Sequence, residues 1–281
     1  MEPITRNEVL QAGNLLSAKA MQWAYNLDNL AYLNKPMTLF GSSQKVEKGS
    51  DKRETHILYL QPAGKVARHT LCTFADKAGC EEPCLISSGQ LGMTTGQRAA
   101  TKRTILLLLR PDWFNAQLLS EIDKAERKAK RTGVPALFRL NGTSDIDWSH
   151  IVGQRPASQF YDYTKVLGRV RANTMANYHL TFSGSMYSTQ SKRALSKAVA
   201  RGYHIAVAFN TKGLASDNVT IPDTLADFDE TDLRPLDKVQ GVIGALKRKG
   251  SNKIERALEG SQSFFVTQAN MPEFADIIAV G

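Results

Sequence analysis

An α/β architecture organised around a parallel sheet, open or closed into a barrel, is what this sequence predicts. Three observations predict it. Apolar segments rich in aromatic and branched residues recur from residue 134 onward. Helical or looping stretches separate them, which is the alternation of βα units. Each apolar segment also turns polar at its carboxyl end, where ligand sites of parallel α/β proteins lie.

The elements follow in order. Residues 5–22 read as an amphipathic helix, with Val9, Leu10, Leu15, Leu16, Met21 and then Trp23 at helical spacing. With the polar loop "FGSSQKVEKGSDKRE" at 40–54 they make an N-terminal helical arm, 1–50, ahead of one α/β domain, 51–281. "HILYLQPAG", 56–64, reads as a buried strand ending at Pro62 and Gly64, and "SSGQLGMTTG", 87–96, as a flexible connection. "NAQLLSEIDKAERKAKRTG" is a helix with Leu118, Leu119, Ile122, Ala125 and Ala129 on one face and Gly133 at its C-cap. Strands "VPALFRLNG", "QFYDYTK", "NYHLTFSGS" and "YHIAVAFNT" follow, with a helix at 189–202 before the last.

Composition narrows the function classes. Hydrophobic residues are 42% and charged residues 22%, ordinary for a globular chain. The longest apolar run near the middle, "ILLLL" at 105–109, is too short to span a bilayer, so no membrane partner is expected. The N-terminus lacks a basic start with an apolar stretch, so an intracellular, reducing compartment is expected. The net charge of +9 permits a polyanionic partner such as nucleic acid. The densest basic runs are "KAERKAKR", 124–131, and "KRKG", 247–250, and the first reads as the solvated face of a helix.

All three cysteines, Cys72, Cys80 and Cys84, lie in "CTFADKAGCEEPCL" with spacing C-x7-C-x3-C. In a reducing compartment such grouping favours metal over disulfide. Three thiolates suit a [4Fe–4S] cluster with one iron open, or with a non-cysteine ligand. Zinc is the alternative and needs a fourth ligand, for which His69 is placed. Three unligated cysteines, or a nucleophilic thiol with no readable His–Asp partner, complete the alternatives.

The polar strand ends supply the other candidates. Asn141, Thr143 and Asp145 end one strand, Asp162, Tyr163 and Lys165 the next, Ser183 and Ser185 the third, and Asn210 and Lys212 the fourth. Asp145, Asp162 and Lys165 are the candidate catalytic groups, as acid, base or charge partner; Asn141, Ser183 and Ser185 are candidate ligand-binding groups. Asp147 reads either as a partner of Asp145 or as the cap of a short helix at "WSHIV". Asp227, Asp229, Glu230 and Asp232 read either as a cation site or as a solvated turn.

Several of these segments, in this order, resemble a phage-encoded family of unassigned function, related to the "gene product eighty-eight" type. They are "CTFADKAGCEEPCLISSG", "QRAATKRTILLLL", "FRLNGTSDIDW", "QFYDYTK", "YHLTFSGS", "IAVAFN", "ADFDETDLRPLD" and "GVIGALKRKG", between about residues 56 and 253. The resemblance implies a viral protein of the bacterial cytoplasm and a βα-repeat barrel, TIM-like or partial, with the cysteines near its mouth. That arrangement is similar to radical S-adenosylmethionine enzymes, whose three cysteines are spaced C-x3-C-x2-C. This chain has a different spacing and no GGE-like segment, so cluster binding carries over and S-adenosylmethionine cleavage is left open. A small molecule or nucleotide at the mouth is the expected ligand. A metal-stabilised, non-enzymatic module binding host protein or nucleic acid is the rival expectation.

Overall fold

A computed structural model describes residues 1–41, 53–81, 83–87, 89–211, 219–230, 233–237, 241–249 and 263–279. Most of the loop at 40–54, the boundary at 50/51, Lys212, Asp232 and Gly250 lie outside them. Among the described residues the protein is a mixed α/β fold with eleven α-helices and an eight-stranded, mostly parallel sheet. The strands are β1 (Phe40–Gly41), β2 (Glu54–Leu58), β3 (Ala136–Arg139), β4 (Gln159–Thr164), β5 (Tyr178–Ser183), β6 (Ile205–Phe209), β7 (Ala226–Asp227) and β8 (Ile243–Lys247).

The strand order is β1-β2-β3-β4-β5-β6-β8-β7, with β1 antiparallel to β2. The sheet is not closed: β1 and β7 stand at its two edges. This corrects the closed-barrel form of the expectation and keeps the parallel βα repeat. The order from β2 to β6 never reverses, so the sheet lacks the switch point of a doubly wound fold there.

The chain divides into two compact units. The first comprises Met1–Ser43, Asp51–Thr73 and Gln90–Phe160; the second comprises Gln44–Ser50, Phe74–Gly89 and Tyr161–Gly281.

In the first unit the expected single helix at 5–22 is two helices, α1 (Arg6–Gln11) and α2 (Ala18–Tyr25). The break has a local cause. Ala12 closes α1 through its N–H to Val9, Leu16 bridges to Ala67 in extended form, and the Ser17 hydroxyl accepts from the Ala20 N–H to start α2. Helix α3 (Leu27–Leu33) follows, capped by Asn26. Its carboxyl end is held by Lys102, whose ammonium donates to the carbonyls of Tyr32 (2.6 Å) and Lys35 (2.5 Å). Burial lowers the Lys102 pKa to about 8.

Lys102 belongs to a helix that sequence reading missed. Helix α4 is Ala75–Ala78 and α5 is Gly89–Gly92; α6 runs Thr94–Leu109, across the end of the expected flexible connection. Threonines and a glycine at its start lower local helix propensity. Tertiary burial of Ala100, Thr104, Ile105 and Leu106 overrides this. Helix α7 (Pro111–Thr132) begins four residues earlier than expected because Pro111 serves at its first turn, and it ends at Gly133 in the left-handed conformation. Its Phe114, Leu118, Ile122 and Ala125 are buried; Phe114 stacks at 6.5 Å on Trp148. Strand β2 ends at Leu58, short of the expected Pro62, and Gln61 further on bonds the Thr104 hydroxyl instead (2.8 Å). Helix α8 (Ser149–Val152) completes the unit before β4.

The second unit packs α9 (Leu167–Ala172), α10 (Thr189–Val199) and α11 (Met271–Ile278) with β5, β6 and β8. Phe182, Leu195, Ile205, Val207, Phe209, Val266 and Phe274 form its core. Near the amino ends of β5 and β6, His179 and His204 lie with ring centroids 4.7 Å apart, beside the buried Arg234. Arg234 Nη1 is 3.3 Å from Asp237 Oδ2. Burial, then the His204 and Arg234 charges, lower the His179 pKa to about 4; His204 is lowered too, chiefly by burial, and Asp237 is raised by burial.

A pH dependence follows. A histidine whose folded pKa lies below its unfolded value of roughly 6.5 is fully stabilising above that value. That contribution is lost as pH falls from 6.5 toward about 4. The Asp237 shift acts oppositely, favouring the fold below the ordinary carboxylate range and losing that contribution as pH rises through its raised value. Between pH 7 and pH 5 the contribution of His179 falls as pH falls, and that of His204 falls in the same direction. Urea unfolding is expected to show a loss of roughly 1–2 kcal/mol over that interval, and His179→Gln should flatten the dependence. An unchanged slope in His179→Gln would remove the histidine as its source.

Candidate functional site

Within the first unit the segments after β2 and β3 are stitched together at the carboxyl ends of those strands. Gly142 N–H donates to the Leu58 carbonyl (3.0 Å) and the Thr143 hydroxyl to the Leu60 carbonyl (2.6 Å). Asp145 N–H donates to the Leu71 carbonyl (3.0 Å), and Cys72 bridges to Asp145 in parallel. Cys72 Sγ accepts from the Ala63 N–H at 3.5 Å and faces the Thr143 carbonyl at 3.9 Å. Ala63 takes a left-handed φ of 48°, unusual for a residue with a side chain. So Cys72 and Asp145 sit side by side, as a cysteine loop leaving from the strand ends requires.

Asn141 organises this loop. Its Oδ1 accepts from the Ser144 hydroxyl (2.9 Å), the Ile146 N–H (2.9 Å) and Trp148 Nε1 (3.3 Å), and its Nδ2 donates to the Ile146 carbonyl. Those four bonds occupy the amide that sequence reading assigned to a ligand. Asp147 Oδ1 accepts from the Ser149 N–H at 3.0 Å, one residue ahead of Trp148, which holds the cap position of α8 without a side-chain cap bond. Asp145 is buried, and His69 is exposed.

Within the second unit Cys80 and Cys84 follow α4. Gly79 ends that helix at φ 65°, and the Cys80 N–H returns to the Ala75 carbonyl (3.1 Å). A side chain at Gly79 would collide with the Tyr187 ring at 2.4 Å. The loop after β5 holds α4 in place: the Ser185 hydroxyl donates to the Ala78 carbonyl (2.7 Å) and the Ser188 hydroxyl to the Lys77 carbonyl (2.6 Å). Ser185, read as a ligand-binding group, therefore anchors the cysteine-bearing helix. All three cysteines are half-buried. Among the described residues no three His, Cys, Asp or Glu side chains form a group able to hold a metal ion.

The remaining candidates of this unit separate along the strands. Asp162 lies inside β4, buried, and accepts from the Tyr178 hydroxyl at 2.8 Å. Lys165, just past β4, donates to Ser183 Oγ at 2.9 Å at the end of β5, and its ammonium lies 4.5 Å over the Phe264 ring. Lys165 and Ser183 thus meet at the carboxyl ends. Asp227 and Asp229 pair with Lys247 (3.4 Å) and Lys249 (2.8 Å), as charges on a turn do.

Sequence reading missed Arg248. It is 4% exposed, just past β8, between the two lysines that take those aspartates. Its Nη1 donates to Asn210 Oδ1 at 2.9 Å, at the end of β6, and its Nη2 is buried with no hydrogen-bond partner among the described residues. The run "KRK" hid it, although side chains alternate at the end of a strand and the middle one turns inward.

A mixed α/β protein with an open, mostly parallel sheet is the class these features define. The chain belongs to the Gene product 88 family, whose model matches residues 35–264. No curated protein and no solved structure matches it. No helix among the described residues is long and apolar enough to cross a membrane.

Proposed function

We propose that Cys72, Cys80 and Cys84 hold a [4Fe–4S] cluster, and that the protein acts in the bacterial host on a small molecule or nucleotide at the strand ends. The carrying observation is the anchoring of the cysteine segment within each unit. Cys72 is tied to the loop after β3, and the helix preceding Cys80 is tied to the loop after β5. An N–H directed at Cys72 sulfur is the contact a thiolate ligand favours. A cluster bound by three thiolates leaves one iron open to a further ligand. Three thiols in one short segment are the donor chemistry such a cluster takes, and its binding would contribute folding free energy.

The chain's own groups then have separable roles. Asn141 and Ser185 position the cysteine-bearing loops, Lys165 and Ser183 receive the ligand, and Asp145 lies beside Cys72 as the proton-handling group.

Protein purified without oxygen is expected to be brown, with broad absorption near about 400 nm and iron and sulfide in equal amounts. Each of Cys72→Ser, Cys80→Ser and Cys84→Ser should lose that absorption and lower the melting temperature. Stoichiometric zinc without iron, in cells given ample iron, would overturn the cluster and favour the metal-stabilised binding module.

A further inference from the structure

We propose that the carboxyl ends of β4, β5, β6 and β8 in the second unit form a receiving site for a small phosphate-bearing ligand. Lys165 and Ser183 contact it, and Arg248 supplies positive charge from the buried side. The inference rests on reading the strand ends as a ligand mouth and is independent of the cysteines.

Arg248 carries the argument. A buried guanidinium without a carboxylate is costly, and folded proteins seldom retain one. Among the described residues the ion pairs Lys192–Glu273, Arg234–Asp237, Lys247–Asp227 and Lys249–Asp229 do not include Arg248. Among the described residues its side chain bonds the neutral amide of Asn210, and Nη2 keeps unsatisfied donors. Such a charge raises the local positive potential at the strand ends, where low-dielectric surroundings screen it poorly.

Lys165 is the accessible counterpart. It is half-buried and shares its ammonium between the Ser183 hydroxyl and the Phe264 ring face. Phe264 packs edge-on against Phe265 (5.1 Å), and the Arg248 guanidinium lies 5.5 Å from the Phe265 ring. The two cations therefore flank one aromatic pair, at the ends of β4 and β8. Two cations and a hydroxyl match a doubly charged oxyanion better than a singly charged one. The exposed part of the Phe264 ring offers a stacking face, should the phosphate belong to a nucleotide.

The test uses the full-length protein in low-salt, phosphate-free buffer, with melting temperature and calorimetric titration as readouts. Inorganic phosphate at millimolar concentration should raise the melting temperature, and acetate should do so less. Lys165→Met and Arg248→Met should each weaken phosphate binding by roughly tenfold or more. Without phosphate, Arg248→Met should melt at the same or a higher temperature than the parent, because it removes an uncompensated buried charge. A structural arginine would give the opposite sign. Adenosine monophosphate binding at least tenfold tighter than phosphate would assign the phosphate to a nucleotide; equal binding would assign it to a simple phosphate ester or the free ion. No phosphate-dependent stabilisation of the parent, or undiminished binding by both variants, would overturn the proposal. Loss of the cluster alone would leave it standing.

Discussion

Gly244→Val is expected to unfold the second unit at growth temperature. Gly244 lies in β8 with the Phe228 ring laid across it, so that a Cβ would fall 2.1 Å from two ring carbons. Phe228 cannot withdraw easily. It is buried, and the Arg234 guanidinium stacks on it at 3.6 Å. The collision is with a held aromatic ring, so the cost should be at the upper end of overpacking, about 3 kcal/mol or more. Chemical denaturation of parent and variant measures it. Phe228→Ala in the same chain should recover part of the loss, because it removes the collision while leaving a cavity. A double variant no more stable than Gly244→Val would show that the ring is not the obstacle.

Asn141→Ala should be nearly as damaging in the first unit. Three donors converge on one amide oxygen, and the Ser144 hydroxyl and Trp148 indole are buried. Alanine leaves them without that acceptor and frees the Ile146 carbonyl as well. Each buried group deprived of its partner costs about 1–3 kcal/mol, so the sum is on the order of 3 kcal/mol. The loss should also loosen the loop that bears Asp145 and holds Cys72, visible as faster amide exchange at Asp145 and Cys72. Parent-like stability would show that Asn141 does not organise this loop.

The strands from 134 to 209 were legible because their period and composition agree with burial, and β3, β4, β5 and β6 lie where expected. Helix α7 and helix α10 were legible for the same reason, with Gly133 and Gly202 closing their ends in left-handed form. Helix α6 was not, because its amino end is written in threonine and glycine and its apolar half looked like a short isolated run. The break between α1 and α2 was hidden by continuous apolar spacing; only Gly13 and Ser17 marked it. At the site, residue type located the polar strand ends but not which groups the fold would consume. Asn141 and Ser185 are spent on backbone carbonyls and N–H groups, which no spacing reveals. Arg248 was concealed because charge on a sequence says nothing of which way a side chain turns.

The unreversed strand order has a consequence for synthesis on the ribosome. From β1 to β6 each new strand is the immediate successor, in the chain, of the strand it pairs with. An emerging strand therefore finds its neighbour already made, and the longest stretch to be closed is the one between β2 and β3 that carries α4 to α7. Assembly of this part can keep pace with elongation, leaving one open edge at a time. The pattern changes at the end. Strand β8 lies between β6 and β7, so β7 emerges before the strand it must join. Chains arrested after Phe209 should resist protease over their earlier strands, whereas those arrested between Asp227 and Ile243 should expose the unpaired flank of β6 to cleavage and to other nascent chains.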